Sequence, residues 1–152
     1  MNIISATISH IIQTKNLGLV SLECGFGKLH SLIITDDRQA QYWQVGDEVN
    51  AIFKQTQVLV CKVDYKESLS ANKKSHKDSL QSAQTFIPPT QNCIISKITE
   101  ITKEDIITRI ECEAGISAIV ASVDFNALGL ENGQECAWLI NPSDVLLELR
   151  ES

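Results

Sequence analysis

Apolar residues recur along this chain with the period of two that belongs to half-buried strands, and turn residues cut them into short runs. "IISATISHII" (Ile3–Ile12) is dense in β-branched residues. "LGLVSLECG" (Leu17–Gly25) alternates and stops at a glycine, and "KLHSLIIT" (Lys28–Thr35) resumes after Gly27. "VGDEVNAIFK" (Val45–Lys54) and "QVLVCKV" (Gln57–Val63) follow. The pattern predicts five short strands. One or two helical turns are expected over Asp36–Trp43, where an acidic start leads into helix formers.

The same order then returns. Asn2, Ile4, Ile8 and Ile11 match Asn92, Ile94, Ile98 and Ile101, an offset of 90. "LECGFG" from Leu22 meets "IECEAG" from Ile110 at 88, and Gly46, Glu48 and Val58 match Gly133, Glu135 and Val145 at 87. In-order matches with a small drift indicate one unit built twice, with three residues lost from loops. The predicted organisation is a first repeat over 1–63, a polar linker over 64–91 and a second repeat over 92–152. "DFNALGL" (Asp124–Leu130) offers the short helix of the second repeat. Five short strands and one short helix per repeat describe an all-β chain of two OB-like small barrels. Each unit alone buries too little surface for comfortable stability, so the copies are expected to share a core or exchange a strand, and the chain to form a homo-oligomer. The linker is rich in Lys, Ser and Gln, and Pro88–Pro89 stiffen the entry to the second repeat.

Composition narrows the function. The chain is 43% hydrophobic, 5% aromatic and carries a net charge of −6, which disfavours nucleic acid because phosphate contacts need a basic surface. No apolar run approaches the ~20 residues of a membrane span, and the start lacks the basic region of a signal peptide, so the expected location is the cytoplasm without membrane insertion. Five cysteines without a C-x-x-C read as reduced thiols rather than a disulfide framework or zinc clip. No P-loop, G-x-S-x-G or H-E-x-x-H occurs, so neither an enzyme nor a metal-ion or organic cofactor is expected. Charge divides unevenly: residues 1–63 hold five basic and five acidic side chains, residues 92–152 four and eleven. An anion would sit better on the first repeat.

The remaining candidates are small polar residues at strand ends: Ser31, Thr35, Lys54 and Thr56. Their counterparts are Ala118, Ser122, Asn141 and Ser143. A lysine beside hydroxyl groups suits a tetrahedral oxyanion, which is held by N–H groups, hydroxyls and one or two cations.

The frame formed by Asn2, Ile4, Ala6, Ile8 and Ile11, then Thr35, then "VGDEVNAIFKQTQV" resembles the Mop or TOBE domain. The second repeat carries it as Asn92, Ile94, Ser96, Ile98 and Ile101, then Ser122, then "LGLENGQECAWLINPSDV". Such domains are small OB-like barrels that bind molybdate or tungstate. They occur as molbindins, in molybdate-transport ATPases and in the molybdate-responsive regulator, and a tandem pair resembles the di-Mop arrangement. The resemblance implies a cytoplasmic molybdate- or tungstate-binding protein for storage, homeostasis or sensing, with a molybdate ABC transporter or regulator as a partner. It assigns the ligand to Lys54 and Thr35, with Thr56, Ser31, Asn2, Asn92, Ser122 and Ser143 as the surrounding polar set. The sequence departs from the family where Ser-Ala-Arg precedes the asparagine: Met1 precedes Asn2, and Pro89-Thr90-Gln91 precedes Asn92. The alternative that this departure raises is a Mop-like oligomerisation or docking module that has lost its oxyanion.

Overall fold

A computed structural model describes residues 1–34, 43–63 and 92–150. Among these the chain runs through β1 (Asn2–Gln13), β2 (Leu17–Cys24), β3 (Gly27–Ile34), β4 (Glu48–Phe53), a 3-10 turn (Gln55–Gln57) and β5 (Val58–Lys62). The order then repeats as β6 (Asn92–Lys103), β7 (Ile107–Cys112), β8 (Ser117–Ala121), helix α1 (Ser122–Leu128), β9 (Glu135–Ile140), a 3-10 turn (Pro142–Asp144) and β10 (Leu146–Leu149). The helical turns expected over Asp36–Trp43 fall, apart from Trp43, outside the described residues, as does the linker expected over 64–91. The second-repeat helix is present, and begins two residues earlier than its sequence signal.

Two antiparallel five-stranded sheets form, ordered β10-β4-β1-β2-β3 and β5-β9-β6-β7-β8. Each half therefore lends its last strand to the other. Val58–Lys62 of β5 pairs with Ile140–Cys136 of β9, and Leu146–Leu149 of β10 pairs with Ile52–Val49 of β4. The strand exchange expected from the size of the repeats is what the topology contains. The result is a tandem of OB-type β-barrels that cannot be pulled apart without breaking two strand ladders.

The curl of both barrels has the same local cause. β1 is bulged between Ile8 and His10, and β6 between Ile98 and Glu100, at equivalent places. A bulge sharpens the twist and bends a strand so that one sheet can close on itself. The flank of each bulge is closed by a glycine turn: Gly46 N–H donates to the Ile8 carbonyl (2.8 Å), and Gly133 N–H to that of Ile98 (2.8 Å). Both glycines have positive φ, 95° and 85°, which explains why the glycine recurs in both copies.

Strand register relocates the drift in offset. Ile8 faces Leu22, and its counterpart Ile98 faces Cys112. Cys112 thus stands where Leu22 stands, both in the core, and not where Cys24 does. The offset of 90 holds through β2 and β7. It becomes 87 by the end of the next strands, where Leu17 faces Ile34 and Ile107 faces Ala121. All three residues were lost at the β2–β3 hairpin. The match of "LECGFG" with "IECEAG" follows letters that the fold does not superpose.

One core runs through both halves. Leu22, Leu29, Val49 and Phe53 of the first half and Ile98, Ile110, Trp138 and Ile140 of the second belong to a single buried cluster. Trp138 is fully buried, and its indole N–H donates to the Ser96 carbonyl at 3.1 Å, which satisfies the one polar atom of the ring.

Candidate functional site

The two halves meet through a pair of asparagines that open the first strand of each. Asn2 is 3% exposed: its Oδ1 accepts from Ser117 N–H (2.8 Å) and its Nδ2 donates to the Ser117 carbonyl (2.9 Å). Asn92 does the same in reverse. Its Oδ1 accepts from His30 N–H (2.7 Å) and its Nδ2 donates to the His30 carbonyl (2.9 Å). Each side chain so completes an edge strand of the opposite half, β8 or β3. A primary amide presents one donor and one acceptor in the spacing of a peptide group, which is why asparagine begins both repeats.

Beside each asparagine lies a 3-10 turn. Asn2 is opposite Phe53, so Lys54 and its turn continue from the same point; Asn92 is opposite Ile140, so Asn141 and its turn do likewise. The first turn is locked by Gln57, whose Oε1 accepts from Lys54 N–H (3.0 Å) and whose N–H donates to the Lys54 carbonyl (3.0 Å). Gln55 Nε2 reaches across to Ser117 Oγ at 2.7 Å. Lys54 and Thr56 point into solvent. The second turn has no cation. Asn141 Oδ1 accepts from Ser143 N–H (3.0 Å) and from Ser143 Oγ (2.9 Å).

The residues singled out in the sequence are thus distributed as follows. Asn2 and the turn that carries Lys54 and Thr56 lie at one end of the interface, where Asn2 and Gln55 bond to Ser117. Asn92, Ser31 and Ser143 come together at the other, against β3. Ser31 is fully buried, and its hydroxyl donates to the Val145 carbonyl at 2.6 Å, docking the second turn on β3. Ser122 stands apart from both groups, at the start of α1. It is 4% exposed, donates to the Glu104 carbonyl (2.6 Å) and shares a hydrogen bond with Thr108 Oγ1 (2.9 Å). Thr35 lies outside the described residues. Lys54 and Thr56 are the two candidates that combine exposure with no side-chain hydrogen bond among the described residues.

Two residues at these ends were missed: Gln55 and Ser117. Their signal was in the repeat itself. Gln55 is matched by Pro142 and Ser117 by His30, and a polar residue that changes between two copies at a strand end marks a place where the copies differ in task.

One cavity reaches the second of these ends. A groove of about 800 Å³ separates β3 from β10 and is lined by Leu17, Leu32, Ile34, Trp43, Leu146 and Leu149, and also by Ser143 and Val145 of the second turn. A cleft of about 450 Å³ holds Lys103, Glu104, Asp105 and Ser122. Neither contains Lys54, whose turn sits on the open surface of the chain. Among the described residues no group of three or more metal-ligating side chains forms, and no helix is long and apolar enough to cross a membrane.

Fold and interface together define a tandem of OB-type barrels that exchange their last strands and clasp each other through paired asparagines. A solved structure of the cytoplasmic molybdate-binding protein ModG, with molybdate bound, has this fold: the match covers 98% of this chain and 96% of that one, with a TM-score of 0.75 and 18% identity. No family model and no curated protein sequence matches the chain.

Proposed function

We propose that this protein binds a tetrahedral oxyanion of the molybdate or tungstate type, for storage, homeostasis or sensing in the cytoplasm. The observation that carries the reading is the solvent-facing pair Lys54 and Thr56, set on a rigid turn at the junction of two exchanged barrels whose fold is also that of a molybdate-binding protein. A cation and a hydroxyl on a braced turn suit such an anion, because the donors are already oriented when it arrives. The turn is open on the single chain, so we place the complete site where a second copy covers it, in a homo-oligomer. A molybdate transporter or regulator is the proposed partner, and nucleic acid is excluded from the proposal on charge.

The test is a thermal shift with molybdate, tungstate and sulfate side by side. A ligand that binds the folded state alone raises the melting temperature. Molybdate and tungstate are expected to raise it, and Lys54→Ala to abolish the rise while leaving the unliganded melting temperature unchanged. If none of the three anions shifts it, the reading falls. A second reading is favoured by one observation: Asn2, Asn92, Ser31, Ser122 and Ser143 all spend their polar groups on internal hydrogen bonds. On that reading the chain is a docking or oligomerisation module without an oxyanion, and its assembly is indifferent to molybdate.

A further inference from the structure

The turns that join β4 to β5 and β9 to β10 occupy equivalent places, yet they are held down by different bonds. The Lys54 turn is tied to the other half by its own side chain, Gln55 Nε2 to Ser117 Oγ at 2.7 Å. Ser117 Oγ is itself fixed from the other side, within 3.3 Å of Asn2 Oδ1. Asn2, Ser117 and Gln55 therefore form one connected set that braces the turn from below, while Lys54 and Thr56 face outward.

The Pro142 turn has none of this. Proline supplies no side-chain donor where Gln55 has an amide. His30, in the place of Ser117, directs its ring to Ser21, with Nδ1 and Oγ 3.1 Å apart. The turn is docked instead by the buried Ser31–Val145 bond, to which the Lys54 turn has no counterpart because Ala118 stands in the place of Ser31 on β8. Its hydroxyl, Ser143 Oγ, is bonded to Asn141 Oδ1, and no cation stands beside it. Each turn thus has one brace, but the first carries an outward lysine and a hydroxyl unbonded among the described residues, whereas the second carries no cation and bonds its hydroxyl internally.

We propose that Gln55 and Ser117 are positioning residues for the Lys54 turn, and that the Pro142 turn is incompetent, so that the chain holds its oxyanion at one of two equivalent places. This rests on the oxyanion reading above. A lysine has a flexible stem, and ordering it costs entropy. A braced turn leaves only that stem to be ordered on binding. Loosening the brace adds the turn backbone to the cost.

Equilibrium dialysis with molybdate measures both affinity and the number bound per chain. The wild type is expected to bind one molybdate at a Lys54-dependent site. Gln55→Leu and Ser117→Ala are each expected to weaken binding roughly threefold to tenfold, the equivalent of one hydrogen bond, at unchanged stoichiometry. Ser31→Ala, which cuts the opposite brace, is expected to lower the melting temperature without changing the affinity. That contrast separates positioning from plain stability. The triple variant His30→Ser, Asn141→Lys, Pro142→Gln is expected to bind two. Two molybdates on the wild type, an unchanged affinity in Gln55→Leu, or a triple variant that folds and still binds one would overturn the proposal. No binding by the wild type defeats the oxyanion reading itself.

Discussion

Asn2 holds the backbone of Ser117 on both its N–H and its carbonyl, and so substitutes for the second neighbouring strand that β8, at the edge of its sheet, lacks among the described residues. Asn92 and His30 repeat the arrangement at the other end. Removing either amide leaves two peptide groups of a part-buried edge without partners, and an unmade bond costs more than a made one contributes. Asn92→Ala is expected to lower stability by about 2–4 kcal/mol. Asn92→Asp is expected to be no better, because it keeps the acceptor for His30 N–H but sets a charge against the His30 carbonyl. Urea unfolding checks both. A change in the transition midpoint of Asn92→Ala below what ~0.5 kcal/mol would produce would show that the clasp is incidental.

Strand exchange makes a further prediction about residues 64–91. The halves are joined by the β5–β9 and β4–β10 ladders and by two asparagine clasps, and none of these requires the peptide connection. Introducing a specific protease site within 64–91 and cutting there is expected to leave the two pieces bound to each other in native buffer. They should separate only in denaturant. Size exclusion and native mass spectrometry of the cut protein read this directly, and pieces that drift apart under native conditions would contradict the exchanged topology.

Much of this architecture was legible in the sequence because its signals are local. Alternation gave the strands, glycines at Gly46 and Gly133 gave the turns beside the bulges, and the repeat gave the pairing of halves. The division of labour among polar residues was not legible. Ser31 and Thr56 read alike, as hydroxyls at strand ends. One is fully buried on Val145 and the other faces water, because the exchange of strands carries the second turn onto β3 and no local pattern encodes that contact. The cysteine match between the repeats misled for a related reason: letters align by identity, but register is set by which residue faces Ile8 and which faces Ile98.

The exchanged strand also reaches the helix of the other half. α1 ends at Gly129, which has φ 65° and donates its N–H to the Phe125 carbonyl. The Lys62 ammonium from β5 lies 3.6 Å from where a Cβ on Gly129 would stand. A cation at a helix C-terminus is favourable, and a glycine is the residue that reaches this left-handed conformation without penalty. Gly129→Ala is expected to cost about 1 kcal/mol, mostly from backbone strain, since the space for the methyl group is ordinary. Lys62→Ala is expected to cost less, a few tenths of a kcal/mol, and that loss should shrink as salt is raised. Thermal unfolding of both variants at low and high salt tests the distinction: a salt-sensitive loss in Gly129→Ala would place its cost in charge rather than in backbone.

The thiols give the chain a pH dependence whose sign follows from burial. Cys136 is fully buried on the inner face of β9, and burial, followed by the nearby thiols of Cys61 and Cys112, pushes it from an ordinary 9.0 up to about 11. The folded protein thus keeps this proton more firmly than the unfolded chain does. Between pH 9 and 11 the unfolded state releases the proton and the folded state holds it, so stability falls as pH rises through that window and levels off above it. At 1.36 kcal/mol per unit of pKa, the loss due to this group is about 2–3 kcal/mol. Below pH 9 it contributes no slope. Other groups titrate in the same range, so the informative quantity is the difference between the wild type and Cys136→Ala, measured by urea unfolding at intervals from pH 8 to 11. The variant is expected to be less stable at pH 8, because a core side chain has been shortened, and to lose less as pH rises. Parallel curves would place the alkaline sensitivity elsewhere. The same burial predicts thiol chemistry: Cys61 and Cys93 are exposed and should react with a thiol reagent in the folded protein, whereas Cys112 and Cys136 should react only on unfolding. Cys93, whose pKa is raised by partial burial and by Cys61, should accelerate as pH is increased above 9.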